Sequence, residues 1–170
     1  MSMNAPSAAD RLQPTLLDRL IDDDPASRTD PAGERFLSHR GLRAAVLRDV
    51  SWLFNTTNLG SEIDEDQFAH AFASVLNYGL PCLSGRFAST VDPVVLEQAI
   101  RTAIERFEPR IDPSTLEIEP VLDRSVLDMH NQIALVIRGL LWAQPVPLEF
   151  ALRTQIDLEE GGITVMELPR

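Results

Sequence analysis

The sequence predicts an α+β fold in which N-terminal helices pack on a small, mainly antiparallel C-terminal sheet. Three observations predict it. Apolar residues recur with the 3.6-residue period of helices as far as Phe107, then with the two-residue period of strands from Leu116 onward. Gly161-Gly162 supplies a tight turn between the last two strand-like stretches. Helices first and an antiparallel meander last is the pattern of helices segregated to one sheet face.

Residues 1–10 are small and polar and read as a disordered tail. Between 12 and 21, apolar residues at 12, 16, 17, 20 and 21 form one face of a short amphipathic helix. Asp22-Asp23-Asp24-Pro25 ends it, because three acids oppose the helix dipole and proline forbids continuation. A helix this short is marginal alone, so it either packs on its own domain or docks into a partner. Residues 1–33 are therefore expected to be a flexible segment carrying this helix, with one α+β domain over 34–168 and a linker-like stretch at 26–37.

A core helix is expected over 38–55, with Ser38 as N-cap and a stripe of Leu42, Val46, Leu47, Val50, Leu53 and Phe54. Arg40, Arg43, Arg48 and Asp49 lie off the stripe, on a face expected to be wet. Glu62, Asp64, Glu65 and Asp66 precede Phe68, Phe72, Val75 and Leu76, which reads as an acidic first turn followed by a helix. Gly79 and Pro81 break the chain after it. Asp92-Pro93 opens the clearest helix, an N-cap followed by proline at the first position, and Pro109 stops it near Phe107. Strands follow around 116–122, 133–139, 148–156 and 163–168. A meander ends in edge strands, and the segments around 147–157 and 162–168 are the candidates for accepting a neighbour's strand.

Composition narrows the function. The 170 residues are 44% hydrophobic, enough for a core, and the net charge of −11 argues against nucleic acid, which needs clustered cations. All 15 basic residues are arginine, suited to planar, bidentate carboxylate recognition. The single Cys82 cannot form an internal disulfide, and a buried structural thiol is expected there. No signal-peptide pattern opens the chain. The longest apolar run, Ile133 to Ala143, is broken by Arg138 and falls far short of a bilayer span of roughly 20 residues. The expected location is cytoplasmic, with no membrane insertion.

Chemistry finds little purchase. His39, His70 and His130 lie on separate elements without metal-ligand spacing, so no metal is expected. No phosphate-binding glycine loop occurs, and neither a cofactor nor a small-molecule substrate is expected. Glycoside hydrolysis needs an acid amid apolar residues and aromatics to line a cleft, yet aromatics are 6% of the chain. Glu108 is the one conspicuous acid, but Arg110 stands two residues away as an ion-pair partner. A catalytic role is not expected.

Glu108-Pro109-Arg110 is the most structured polar signal. Proline fixes one backbone angle, and in an extended segment residues i and i+2 project to one side. The acid and the guanidinium would then be presented together at a helix-to-strand corner, either to a partner's complementary charges or to solvent.

At these residues the chain resembles the TssE-type baseplate subunits of bacterial type VI secretion systems. These are relatives of the lysozyme-like wedge protein of contractile phage tail baseplates. The matching blocks are Leu16-Leu17-Asp18-Arg19-Leu20 with its acidic run, Val46 to Asn55, Ser74 to Pro81, and above all Phe107-Glu108-Pro109-Arg110; Gly139 also fits. The resemblance implies a non-enzymatic structural subunit of the wedge fold over residues 34–168. Its implied partners are other baseplate wedge subunits and contractile sheath subunits, with Glu108, Pro109 and Arg110 in the wedge junction and strand exchange templating the first sheath ring. Arg48, Trp52 and Tyr78 match family blocks and are assigned to structure. Two alternatives stand beside it: a peptidoglycan hydrolase, and a single-partner regulatory adaptor of the same fold.

Overall fold

The computed structural model describes residues 14–21, 25–26, 37–85, 91–121, 131–143 and 146–168. The expected tail and most of the linker, together with Leu122 and His130, lie outside the described residues.

Helices occupy the first part of the chain. α1 (Leu16–Leu20) carries a complete capping box: the Thr15 hydroxyl accepts from the Asp18 amide, and the Asp18 carboxylate accepts from the Thr15 amide. α2 (His39–Phe54) starts at Ser38, whose hydroxyl accepts from the Gly41 amide, and buries Leu42, Ala45, Val46, Val50, Leu53 and Phe54. The expected helix around Phe68 shrinks to one turn, α3 (Ala69–Phe72), followed by a 3-10 turn at Val75–Asn77. Asp64 does not feed a long helix; its carboxylate closes a local turn by accepting from the amides of Asp66 and Gln67. Ser74 then restarts the chain in extended geometry, and Phe68, Val75 and Leu76 stay exposed. α4 (Pro93–Phe107) begins at the Asp92 cap as expected and buries Leu96, Ile100, Ala103 and Ile104.

Four strands follow: β1 (Glu117–Pro120), β2 (Gln132–Leu141), β3 (Leu148–Asp157) and β4 (Ile163–Glu167). They form one antiparallel sheet in the order β1-β2-β3-β4. The fold class is therefore the expected α+β. Ile133, Leu135, Ile137 and Leu141 of β2 and Phe150, Leu152, Thr154 and Ile156 of β3 are buried, in the alternation a half-covered sheet requires. α2 lies over β3 and β4 and α4 over β1, closing a single core. One expectation changes. β3 is flanked along its length by β2 and from Leu152 to Ile156 by β4, so the outer strands are β1 and β4.

Two glycines are dictated by close approach. Gly139 pairs with Phe150 across β2 and β3, and a Cβ on it would stand 3.0 Å from the Phe150 ring. Gly79 has φ of +118°, and a Cβ there would fall 2.1 Å from the Thr56 carbonyl oxygen. The missing side chain lets Leu80 reach the end of α2, with Leu80 donating to the Thr56 carbonyl at 2.8 Å and Asn58 to the Leu80 carbonyl at 2.9 Å. Gly79→Ala should therefore cost more than about 2 kcal/mol, read as a lower urea midpoint at unchanged slope.

Candidate functional site

Glu108 caps the end of α4, its amide donating to the Ile104 carbonyl at 2.8 Å. Proline then ends the helix, and the Ile111 amide returns to the Glu108 carbonyl at 3.1 Å. The triplet is a tight turn, not the extended segment expected from the sequence. Main-chain bonds clip it to the end of β2: Trp142 donates to the Arg110 carbonyl at 2.7 Å, and Asp112 to the Leu140 carbonyl at 2.9 Å.

The turn brings the two charges together, but onto each other. Arg110 Nε donates to Glu108 Oε1 at 2.6 Å and Nη2 to Oε2 at 2.5 Å, while the Arg110 amide adds a bond of 3.2 Å to Oε1. Glu108 is buried, at 3% exposure. Arg110 alone makes three bonds to this carboxylate, and an acid role in glycoside cleavage would require that clamp to open.

The pair is the end of a longer chain of charges. Arg110 Nη2 also reaches Asp49 Oδ2 on α2 at 2.6 Å. The other Asp49 oxygen accepts from Arg48 Nε at 2.8 Å, and Arg48 Nη1 meets Asp18 Oδ1 on α1 at 2.6 Å. Five alternating charges thus run from the α4–β1 corner across α2 to α1. The Arg48 guanidinium also sits over the Trp52 ring, 5.0 Å from its centre. Tyr78 completes the surround: its ring packs edge-on against Phe107 at 5.1 Å, and its hydroxyl lies 3.5 Å from the Asp49 carbonyl.

Electrostatics follow the geometry. Burial disfavours the charged Arg110, yet the bonds and charges of Glu108 and then Asp49 outweigh it and raise its pKa above the ordinary arginine value. Burial, reinforced by the charges of Asp49 and Glu108, pushes the Tyr78 phenol up. Burial also acts to raise Asp18, but hydrogen bonds from Arg48 and Thr15 prevail and hold its carboxyl below the usual range. Two donors of the chain lack a well-aligned acceptor among the described residues: Arg110 Nη1, and Arg48 Nη2, which makes only an ion-pair contact with Asp49 at 2.7 Å.

Sequence reasoning singled out Glu108, Pro109 and Arg110 but placed Asp49 and Arg48 on a wet face. Asp49 is 61 residues from Arg110 in sequence, so nothing local signals the pairing. α1 is anchored through Asp18, and none of its residues is buried; Leu16 and Leu20 are exposed. Its attachment is by charge, not by apolar packing. Cys82 is exposed, against the buried thiol expected, because it follows Pro81 on the loop leaving the core residue Leu80. Among the described residues, no group of three His, Cys, Asp or Glu side chains could hold a metal, and no helix is long and apolar enough to cross a membrane.

The site is thus a buried, proline-stiffened ion pair at the junction of the helices and the meander. The family model for baseplate wedge protein gp25 matches residues 40–146, and the chain belongs to that family, which includes the TssE-type subunits. The matched region contains α2 from its second residue, α4, the Glu108-Pro109-Arg110 turn and β2. No curated protein and no solved structure matches the chain. The family is one of baseplate structural proteins, and membership implies contact with other baseplate proteins.

Two predictions follow from the charge chain. Arg110→Ala leaves Glu108 buried without its partner and should cost the isolated fold about 3–5 kcal/mol in urea unfolding, more than a surface turn would. Replacing both partners, as Glu108→Leu with Arg110→Met, should recover most of that loss. Because the Asp18 carboxyl is lowered in the folded state, its contribution is present above the ordinary aspartate value, about 3.9, and is lost as pH falls through the folded value. Asp18→Asn should thus unfold at lower urea than the wild type at pH 7, and the gap should close below about pH 4.

Proposed function

We propose that this chain is a TssE-type subunit of a type VI secretion baseplate, non-catalytic and cytoplasmic. In this reading the Glu108-Pro109-Arg110 corner sits in the junction with other wedge subunits, and an outer strand of the sheet accepts a strand from the first ring of contractile sheath. Membership of the wedge family supports the assembly role. The observation that carries the site is the Arg110 side chain: two carboxylates hold it in place, and 19% of it stays exposed for a neighbour to meet. Desolvated charge pairs of this kind fix orientation and register more than they add affinity.

The outer strands are unequal as acceptors. β1 is four residues long, carries Glu117 and Glu119, and ends in Pro120, features that discourage pairing. β4 has no proline between Ile163 and Glu167 and is the better edge.

For the hydrolase alternative, Glu108 would first have to leave Arg110, from which it accepts through both oxygens. The test is made in cells. Deleting the chain should abolish sheath polymerisation, and wild-type chain should restore it and co-purify with several wedge subunits. Arg110→Lys keeps the charge but loses the planar fork, and should reduce sheath number severalfold while the isolated chain stays folded. Normal sheaths in the deletion strain, or release of glycan fragments from cell wall by the pure chain, would refute the reading; a single co-purifying partner would favour the adaptor.

A further inference from the structure

The start of the β4 edge is already occupied, and by a side chain. The Asn55 carboxamide accepts from the Ile163 amide at 2.9 Å and donates to the Ile163 carbonyl at 2.7 Å. A carboxamide carries the same donor and acceptor as a peptide group, so Asn55 makes both bonds that a hydrogen-bonded antiparallel partner residue would make. Its position is set from behind. Asn55 is the C-cap of α2, its amide donates to the Ser51 carbonyl at 3.1 Å, and its side-chain nitrogen donates to the same carbonyl at 2.8 Å.

Alternation then fixes what remains of the edge. Ile163 turns its main chain toward Asn55, so Thr164 and Met166 turn theirs toward β3, where they pair with Gln155 and Arg153. The flanking bonds agree with this phase: Asp157 donates to the Gly162 carbonyl at 2.9 Å, and Leu168 to the Ala151 carbonyl at 2.9 Å. The main-chain groups of Val165 and Glu167 therefore face outward. No other strand lies along β4 among the described residues.

We infer that Asn55 is a register stop: it closes the first rung of the β4 edge, so that a strand donated by a sheath subunit pairs only at Val165 and Glu167. This rests on the reading of the chain as a sheath-templating subunit. Without the stop, an incoming strand could also bond at Ile163 and slide by two residues, keeping its side chains on the same faces while shifting its position by about 6.6 Å. Register of the first ring would then be ambiguous.

The experiment is residue-resolved amide hydrogen exchange on the full chain, free and in wedge–sheath assemblies confirmed by electron microscopy. In the free chain the Ile163 amide should exchange at least about 100-fold more slowly than those of Val165 and Glu167. On assembly Val165 and Glu167 should become protected, with Ile163 unchanged. Asn55→Ala should bring Ile163 to the free rate of Val165 and let it become protected on assembly. Thr164 and Met166, which pair with β3, report in the same experiment whether β4 is still formed in the variant: their amides should stay slow while that of Ile163 speeds up. Assembled sheath with Val165 and Glu167 still exchanging at their free rates would overturn the register stop while leaving the baseplate reading in place. So would an Ile163 amide that stays slow in a folded Asn55→Ala chain. Failure of the wild-type chain to support any sheath would remove the baseplate reading, and this inference with it.

Discussion

Glu108 is buried where the helical half of the chain gives way to sheet, and it needs a cation whose fork matches a carboxylate. Arg110 meets that need from two residues away only because Pro109 stops α4 and turns the backbone back on itself. The same guanidinium then takes hold of Asp49, so one side chain joins the end of α4, the start of the meander and the middle of α2. The core beneath supplies most of the favourable free energy, through residues such as Val50, Ile104, Ile137 and Leu141. The ion pair ties the α4–β1 corner to α2 at the edge of that core.

Beyond Asp49 the charges continue to α1, which is too short to stand alone and buries none of its own residues. Its attachment through Asp18 makes its position depend on Arg48, and through Arg48 on the corner itself. A structural subunit can use such an arrangement to hold two surface elements in a fixed relation without enlarging its core. Intramolecular bonds at the corner do not exhaust its hydrogen-bonding capacity, since the Arg110 fork has more donors than its two carboxylates use.

Much of this was legible from the sequence, and the failures have a common cause. α2 and α4 could be read to within a residue or two because cap, stripe and stop agree: Ser38 and Asp92 open them, and Pro109 closes the second. The meander was legible from the change of period and from Gly161-Gly162. Phe68 to Leu76 misled because its apolar residues have helical spacing, while Asp64 and Ser74 bond to the local backbone and segment it. Glu108, Pro109 and Arg110 stood out because they are adjacent. Asp49, Asp18 and Asn55 did not, since their partners lie far off in sequence and no periodicity encodes contacts of that range. β3 was mistaken for an edge because strand order is a property of the whole sheet, not of any one strand.

Cys82 has a practical consequence. It is the one cysteine in the sequence, its thiol is exposed on the loop after Leu80, and its sulfur lies 3.3 Å from the Ser84 hydroxyl. A maleimide dye would therefore mark each molecule once without any engineered substitution. Counting the bleaching steps of single isolated particles would then give the number of copies each one holds.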